Sequence, residues 1–375
     1  MREVIIFRHN LFRISEPFIT QQAQQLQRYQ PIYMGRLRFG AAPGQAVSLA
    51  LQDLRLGWPI IGWQLLSRTP RPYRHLLGAR RPALIHAHFG VEGVYALPLA
   101  RQLGIPLITT FHGFDATLST AALLRSPAWA NYPLFRRSLA KQGALFLCAS
   151  AFIRERLLAM GFPDSRTKVH YIGVDCEAIR PRESWEETRT ILHVARLVEV
   201  KGTEHLIRGF ARLAAQDPEV RLAIIGDGPL KTSLQALSRD LGLEERVRFL
   251  GALPHKEVLA AMRMAAMLVL PSIRTSSGRE EGLGMVLLEA AATGIPTIGS
   301  RIGGIPEGVM DGETGFLAPE RDATALADLM RRLLANPDLR HGMGAAARRL
   351  VEQRFDLPHQ TRLLEDCYDR VLDNP

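Results

Sequence analysis

The sequence predicts an α/β protein with two doubly wound domains, in which helices cover both faces of parallel sheets. In both halves of the 375-residue chain, short apolar runs alternate with amphipathic stretches, as in parallel strands joined by helices. The length also exceeds that of a typical single core. Near the middle, Pro181 and a polar run within Asp175–Thr188 interrupt the alternation and indicate a domain boundary. We therefore expect one domain over residues 1–180 and a second over 181–356.

Buried strands are predicted where short apolar runs end in polar or glycine-containing turns. In the first half these runs are Val4–Phe7, Ala83–His86, Pro106–Phe111 and Ala144–Ala149. In the second half they are Thr190–Ala195, Arg221–Ile225, Val247–Leu250, Met267–Leu270 and Thr297–Gly299. Ligands of open α/β sheets bind beyond the carboxyl ends of such strands, so a site is expected in a cleft between two facing sheets.

Helices are predicted between these strands from apolar residues at helical spacing. They are Phe18–Tyr29, Val91–Leu103, Ala151–Met160, His205–Ala215, Leu230–Leu241, His255–Ala265 and Met285–Ala292. A last helix over Pro358–Leu372 is expected to cross back and pack on the first domain. Residues 357–375 are therefore assigned to that domain.

Positive charge is concentrated in the first half. Residues 1–180 hold 22 Lys and Arg against 9 Asp and Glu, and the remainder holds 25 against 28. A basic half could face nucleic acid, an anionic membrane or a phosphorylated substrate, but no recognisable nucleic-acid motif accompanies the charge. The sequence contains no run of eighteen apolar residues, so no transmembrane helix is predicted. Three scattered cysteines fit a reducing cytoplasm.

Two cations and two carboxylates in the second half suit a sugar nucleotide. Arg196 and Lys201 lie in a predicted strand-to-helix loop, where a guanidinium fork and an ammonium group could neutralise a diphosphate. Glu289 lies among apolar residues of a predicted helix, and ribose hydroxyls would be good partners for its carboxylate. Glu281 lies in a glycine-flanked loop that a ligand can approach closely. Its neighbour Glu280 is expected to be solvated.

Glycine turns accompany these charged residues. Gly226-Asp-Gly228-Pro229 follows a predicted strand but lacks the three-glycine dinucleotide pattern. Gly303-Gly304-Ile-Pro306-Glu307 precedes a predicted helix start, where free backbone N–H groups could bind an anion or a hexose hydroxyl. A tight turn and helix cap would explain the same residues.

Histidines at strand ends are the candidates in the first half. His112, within Thr110-Phe-His-Gly-Phe-Asp115, follows a predicted strand and is expected to point into the cleft, with Asp115 close behind it. His86 and His88 are expected to point to opposite faces of their strand and so not to share a metal ion. The chain also contains no Asp-x-Asp sequence, a pair that often holds Mg²⁺ in metal-dependent transferases. No metal site is predicted.

The segment Val47–Leu66 allows two interpretations. It is apolar, contains Trp58 and Trp63, and is followed by five arginines at positions 68, 71, 74, 80 and 81. Aromatic residues beside arginines suit a lipid headgroup layer. The alternative is a core-packing helix pair followed by a solvated basic loop, and it is the interpretation that we favour from sequence.

The motifs together resemble glycosyltransferase family 4, retaining enzymes of the GT-B fold. The most specific element is the Glu-x₇-Glu pair of Glu281 and Glu289, supported by Arg196, Lys201 and the Gly303–Glu307 loop. His86-Ala-His-Phe-Gly90 and Thr110–Asp115 are most similar to bacterial members that build exopolysaccharide, capsule or lipopolysaccharide. One departure is the loop after the first strand, where many relatives carry a Gly-Gly pair and this chain has Arg8–Pro17.

The resemblance implies a retaining transfer of a hexose from a UDP- or GDP-sugar to a saccharide acceptor. The absence of an Asp-x-Asp sequence favours a metal-independent reaction. The basic first half and the Trp58/Trp63 segment would suit a polyprenyl-diphosphate-linked acceptor at the cytoplasmic face of the inner membrane. The resemblance implies no cofactor. The catalytic set would be His112, Glu281, Arg196 and Lys201. The donor set would be Arg196, Lys201, Gly226, Glu281, Gly282, Leu283, Gly284, Glu289, Gly303 and Gly304, with Glu289 on the ribose and Glu281 near the hexose. The acceptor set would be Arg8, Arg13, Ser15, Glu16, His88 and Asp115.

Two other functions remain open. A sugar-nucleotide epimerase of GT-B fold would need acid/base carboxylates facing the sugar ring rather than this set of cations and glutamates. A non-catalytic membrane-associated scaffold would fit erosion of Arg196, Lys201 or Glu289, and all three are present.

Overall fold

The chain, seen in a computed structural model, divides into two compact units. Unit 1 comprises Met1–Gly173 and Leu357–Pro375, and unit 2 comprises Val174–Asp356. The structure describes residues 1–13, 16–44, 46–182 and 188–373. The expected boundary segment, Asp175–Thr188, begins just after the first part of unit 1, and its residues 183–187 lie outside the described ranges.

Unit 1 contains a seven-stranded parallel sheet in the order β5-β3-β1-β6-β7-β8-β9, and β2 pairs with β4 beside it. The strands are β1 (Arg2–Phe7), β2 (Asn10–Leu11), β3 (Tyr29–Gly35), β4 (Leu37–Arg38), β5 (Val47–Ala50), β6 (Leu84–His88), β7 (Leu107–Phe111), β8 (Leu145–Cys148) and β9 (Thr167–Val169). The helices are α1 (Pro17–Gln24), α2 (Gly57–Ser67), α3 (Arg71–Leu77), α4 (Gly90–Leu103), α5 (Phe114–Thr117), α6 (Thr120–Leu124), α7 (Asn131–Gln142), α8 (Ala151–Ala159) and, from the end of the chain, α16 (Leu357–Asp373).

Unit 2 contains a six-stranded parallel sheet in the order β12-β11-β10-β13-β14-β15. Its strands are β10 (Thr190–Val194), β11 (Arg221–Ile225), β12 (Val247–Gly251), β13 (Met267–Leu270), β14 (Thr297–Ser300) and β15 (Gly315–Ala318). Its helices are α9 (Thr203–Ala214), α10 (Lys231–Asp240), α11 (His255–Met264), α12 (Met285–Ala292), α13 (Ile305–Gly308), α14 (Ala323–Ala335) and α15 (Pro337–Arg354). Two units with helix-covered parallel sheets confirm the predicted fold class.

Apolar side chains cover both faces of each sheet. In β1, Ile5 and Phe7 belong to one buried cluster, whereas Val4 and Ile6 belong to the other, because successive strand residues point to opposite faces. The second cluster includes Leu364, Cys367 and Tyr368 of α16. The last helix therefore completes one face of the first sheet, as predicted from the sequence.

Two segments of unit 1 differ from their predicted secondary structure. The expected helix Phe18–Tyr29 ends at Gln24, and Tyr29 instead begins the buried strand β3. Pro31 lies within that strand, between β1 and β5, and a proline normally argues against an interior strand. The expected helix pair in Val47–Leu66 is also wrong in its first part, which forms β5 before α2 begins at Gly57.

Candidate functional site

In unit 2, several of the predicted donor residues follow the carboxyl ends of four neighbouring strands. Arg196 follows β10, Gly226 follows β11, Glu281 lies between β13 and α12, and Gly303 follows β14. These strands are adjacent in the order β11-β10-β13-β14. Since their ladders are parallel, their carboxyl ends lie at the same edge, where ligands of such sheets bind.

Glycines allow the loops of this edge to approach one another closely. Gly226 has φ +133° and Gly303 has φ +56°, conformations that side-chain-bearing residues rarely adopt. A Cβ on Gly303 would lie 2.2 Å from the carbonyl oxygen of Glu281. The next residue, Gly304, donates its N–H to that same oxygen at 3.1 Å. The Gly303-Gly304 turn therefore rests on the backbone of Glu281.

Lys201 and Glu281 form an ion pair at this edge. Lys201 Nζ lies 2.5 Å from Glu281 Oε2, and Ser272 Oγ donates to the same oxygen at 3.1 Å. Burial alone would raise the pKa of Glu281, but Lys201, Ser272 and Arg279 stabilise the carboxylate and hold its pKa below the ordinary value. Glu281 is therefore ionised at neutral pH. The ion pair holds the Lys201 side chain at this site, where it is 21% exposed.

Two further arginines near the Lys201–Glu281 pair add positive charge. Arg196 is exposed and Arg279 is half-buried, and neither forms an ion pair with any residue in the described ranges. Burial and the proximity of Arg196 lower the pKa of Arg279. Arg196 and Arg279 thus lie close enough to repel each other, and together with Lys201 they form a concentration of positive charge suited to a polyanion. Arg279, two positions before Glu281, was not among the residues predicted from the sequence.

Glu289 forms a second pair, with a residue that was not predicted from the sequence. His255 Nε2 lies 2.9 Å from Glu289 Oε1. Hydrogen bonding to this carboxylate raises the pKa of His255, although partial burial opposes the shift. His255 is the first residue of α11, whereas Glu289 lies in the middle of α12. Nothing in the local pattern of either helix indicates their contact.

Glu280 differs from the expectation that it is solvated. Its side chain is buried and lies 2.8 Å from Arg274, measured between Oε1 and Nε. Gly282, Leu283 and Gly284 then lead into α12, and Gly284 has φ +80° immediately before the helix begins. The loop between β13 and α12 is therefore held by an ion pair beside the predicted donor residues.

A row of histidines lies at the ends of β6 and β7 in unit 1. His88 Nδ1 lies 3.1 Å from His112 Nε2 with the rings nearly parallel. His86 contacts the hydroxyls of Tyr368 and Thr110, both at 2.6 Å. The expectation that His86 and His88 point to opposite faces is wrong, because residues two apart on a strand share a face. Their ring centroids are 4.4 Å apart.

These histidines are held neutral. Burial, followed by the proximity of other basic groups, lowers the pKa of His86, His88 and His112. His112 packs against Phe18 and Phe89, and its Nδ1 is buried with no hydrogen-bond partner among described residues. Buried nitrogens are normally paired, and a site role for His112 stays a prediction.

Arg8 has the contacts of a structural residue. It bonds both oxygens of Glu16 at 2.9 Å, pairs with buried Glu92, and lies over the ring of Phe89. Arg13 is exposed beside Phe39. The expected acceptor residue Ser15 lies outside the described residues. The departure from the Gly-Gly pattern after β1 thus places a buried charge network there.

Asp115 is a brace between loops. Its carboxylate accepts hydrogen bonds from the backbone N–H groups of Gly90, His112 and Gly113 at 2.8, 3.3 and 2.9 Å. Burial raises the pKa of Asp115, and these bonds oppose the shift. It therefore ties the β6–α4 turn to the β7–α5 turn that carries His112. An acceptor role for Asp115 stays a prediction.

Helix α2 exposes large apolar side chains. Trp58 is 71% exposed and Trp63 is 63% exposed, and Leu56 and Leu66 accompany them. Only Gly57, Ile61 and Gln64 of this helix are buried. Within the described ranges, no helix is long and apolar enough to cross a bilayer. No cluster of three or more potential metal ligands occurs in the same part of the chain.

Comparison with known proteins identifies the family. A profile for "Glycosyl transferases group 1" matches residues 175–350, and one for "Glycosyltransferase Family 4" matches residues 43–178. A Mycolicibacterium smegmatis GDP-mannose-dependent alpha-(1-6)-phosphatidylinositol monomannoside mannosyltransferase is 30% identical over 78% of this chain and 79% of its own. The amylovoran biosynthesis glycosyltransferase AmsK of Erwinia amylovora is 33% identical over 76% and 69%.

Solved structures agree on the fold. HepE of Anabaena, determined with UDP and glucose, superposes with a TM-score of 0.79 at 18% identity over 98% of this chain and all of its own. A sucrose-phosphate synthase of Thermosynechococcus elongatus superposes with a TM-score of 0.78 at 18% identity over the full length of both. The fold is therefore that of the GT-B glycosyltransferases. This chain belongs to glycosyltransferase family 4.

Proposed function

We propose that this chain is a retaining, metal-independent hexosyltransferase that takes a UDP- or GDP-sugar as donor. Its acceptor is a lipid-linked saccharide in the synthesis of a bacterial surface polysaccharide. The observation that carries the proposal is the cluster formed by the Lys201–Glu281 pair and the Gly303-Gly304 turn. Motifs separated in sequence meet there at the ligand-binding edge of one parallel sheet.

The charges of this edge support a sugar diphosphate as ligand. Arg196 and Lys201 would bind the diphosphate oxygens, and Arg279 adds to the positive potential. Glu289 would accept the ribose hydroxyls, and Glu281 with the Gly303-Gly304 turn would meet the hexose. Relatives support both candidate bases, because HepE was solved with UDP and glucose whereas the mycobacterial relative is named for GDP-mannose.

The reaction is a displacement on the face from which the diphosphate leaves. The acceptor hydroxyl oxygen bonds to the anomeric carbon while the bond from that carbon to the phosphate oxygen breaks. The electron pair of the breaking bond goes to the diphosphate. A phosphate oxygen of the diphosphate also takes the proton of the acceptor hydroxyl. Lys201 and Arg196 would lower the barrier by stabilising the growing negative charge. We assign them the role that a metal ion has in other transferases, which the absence of an Asp-x-Asp sequence supports.

The acceptor proposal rests on names of relatives and on the surface of unit 1. Relatives are named for colanic acid and amylovoran biosynthesis, and residues 1–180 carry a net positive charge. Trp58 and Trp63 project from α2, with exposed Arg55 and Arg71 near its two ends. Aromatic residues beside cations suit an anionic headgroup layer. We therefore propose peripheral binding at the cytoplasmic face of the membrane that holds the acceptor.

The direct test is a thermal-shift screen of the purified protein against UDP-, GDP-, dTDP- and CMP-sugars, with and without EDTA. We expect stabilisation by a UDP- or GDP-sugar that persists in EDTA. A transfer assay with labelled donor and bacterial membrane extract would then follow the product, whose anomeric configuration is read by NMR. Stabilisation abolished by EDTA, or an inverted product, would contradict the proposed mechanism. No binding and no transfer with any donor would contradict the proposed function.

A further inference from the structure

His255 and Glu289 form a contact that the proposed roles of unit 2 leave unexplained. Their side chains meet at 2.9 Å, and they are 38% and 19% exposed. Partly exposed pairs of this kind contribute little to stability. A hydrogen bond nevertheless fixes the direction in which a carboxylate points. The contact is therefore better explained by the orientation that it gives the Glu289 carboxylate.

The geometry leaves most of the Glu289 carboxylate available. His255 Nε2 bonds Oε1, and no other side chain or backbone group in the described ranges bonds this carboxylate. An ionised carboxylate has about four acceptor positions. A ribose presents two adjacent hydroxyl donors, which a carboxylate can accept together once its plane is fixed.

A histidine suits this task in either protonation state. The neutral ring with hydrogen on Nε2 and the imidazolium both donate to Glu289 Oε1. The charged groups next to His255 on its own turn, Lys256 and Glu257, are exposed. Hydrogen bonding to Glu289 raises the pKa of His255. Glu289 is therefore the charged group with the largest effect on the pKa of His255.

We propose that His255 is a positioning residue that orients the Glu289 carboxylate to receive the ribose 2′- and 3′-hydroxyls of the donor. The proposal rests on the proposed nucleotide-sugar function and adds a specificity determinant to it. Discrimination between a ribonucleotide and its dideoxy counterpart then depends on His255. Affinity for the base and the diphosphate does not depend on His255.

Calorimetric titration with UDP and GDP, each beside its 2′,3′-dideoxy counterpart, tests this dependence. We expect His255→Ala to weaken binding of the preferred ribonucleotide about five- to tenfold, the scale of a partly exposed hydrogen bond to a charged group. Binding of the dideoxy counterpart should stay unchanged. His255→Gln keeps an N–H donor and should recover most of the loss. Lys256→Ala, which removes a neighbouring exposed charge, should change neither affinity.

The outcomes separate this proposal from the proposed function. If His255→Ala weakens ribonucleotide and dideoxynucleotide equally, or weakens neither, the orienting role is wrong while the nucleotide site stands. If the unaltered protein binds neither UDP nor GDP, the proposed function fails and the proposal fails with it. Melting temperatures of the variants, expected to be equal, exclude a folding defect as the cause.

Discussion

Lys201 and Glu281 balance each other's charge in a partly buried position. The two side chains are 21% and 15% exposed. Each charge has therefore lost part of its hydration, and its partner compensates for that loss. Removing one partner of such a pair leaves an uncompensated charge. The pair therefore couples the stability of unit 2 to the charge of the proposed donor site, and a single substitution would change both.

We expect Lys201→Ala to abolish transfer and also to destabilise unit 2, by about 2–3 kcal/mol, because Glu281 loses its cation. The double variant Lys201→Met with Glu281→Gln removes both charges and should recover the melting temperature but no activity. Calorimetry and the labelled-donor assay measure the two effects. Near-normal transfer by the single variant would remove Lys201 from the mechanism.

Gly303 offers a second test at single-residue resolution. Gly303→Ala should destabilise the protein and weaken nucleotide-sugar binding, because its Cβ would lie 2.2 Å from the Glu281 carbonyl oxygen. Gly312 is the matched control, since its φ of +82° is also positive but nothing lies within 4 Å of its Cβ. Gly312→Ala should cost only the conformational penalty, about 1 kcal/mol. Equal melting temperatures and affinities for the two variants would contradict the close-approach argument.

The sequence was enough to select the cations and carboxylates of the proposed donor edge, but not all of their partners. Arg196, Lys201, Glu281 and Glu289 could be selected because charge and glycine turns follow predicted strands. The contact of Glu289 with His255 spans two helices with no shared periodicity, so only the folded chain reveals it. The error on His86 and His88 was one of strand geometry rather than of missing information.

Elements with an uninterrupted apolar run were predicted well, and those with mixed signals were not. Arg221–Ile225 and Met267–Leu270 have the predicted bounds in the structure. Strand β3 was lost because Pro31 interrupts it, and β5 because its apolar residues continue into α2. In both, tertiary pairing with neighbouring strands outweighs the local pattern.

The exposed tryptophans of helix α2 are expected to bind a membrane surface. Trp58→Ser with Trp63→Ser should reduce co-sedimentation with vesicles rich in anionic phosphatidylglycerol about tenfold or more, because both side chains project into solvent and aromatic burial drives interfacial binding. The fold should be unaffected, since neither tryptophan is buried. Met264→Ser, which changes a residue 62% exposed on unit 2, should bind like the unaltered protein. Undiminished vesicle binding by the double variant would contradict the membrane proposal.

Buried neutral histidines are unevenly distributed between the two units. In unit 1, burial lowers the pKa of five histidines, His9, His86, His88, His112 and His170, the last to about 4. In unit 2 the fully buried histidine with a lowered pKa is His193, also at about 4. A histidine whose pKa is depressed by folding binds protons more readily in the unfolded chain.

We therefore expect unit 1 to lose more stability than unit 2 when the pH falls. The contribution of these histidines is fully present above the unfolded pKa of about 6.5 and is lost toward pH 4, at up to about 1.4 kcal/mol per pH unit for each histidine. Hydrogen exchange at pH 7.5 and 5.5, corrected for intrinsic rates, would resolve the two units. A larger loss of protection in unit 2 would contradict this expectation.

The position of α16 has a consequence for how the protein is made. Leu364 and Tyr368 complete a core whose other members lie in the first half of the chain, and all of unit 2 is synthesised between them. At about 5–20 residues per second, the ribosome needs roughly ten seconds or more to cross that interval. During this time the nascent first unit exposes the apolar surface that α16 will cover. Chaperone binding during translation should therefore concentrate on the first half and end when the last helix emerges.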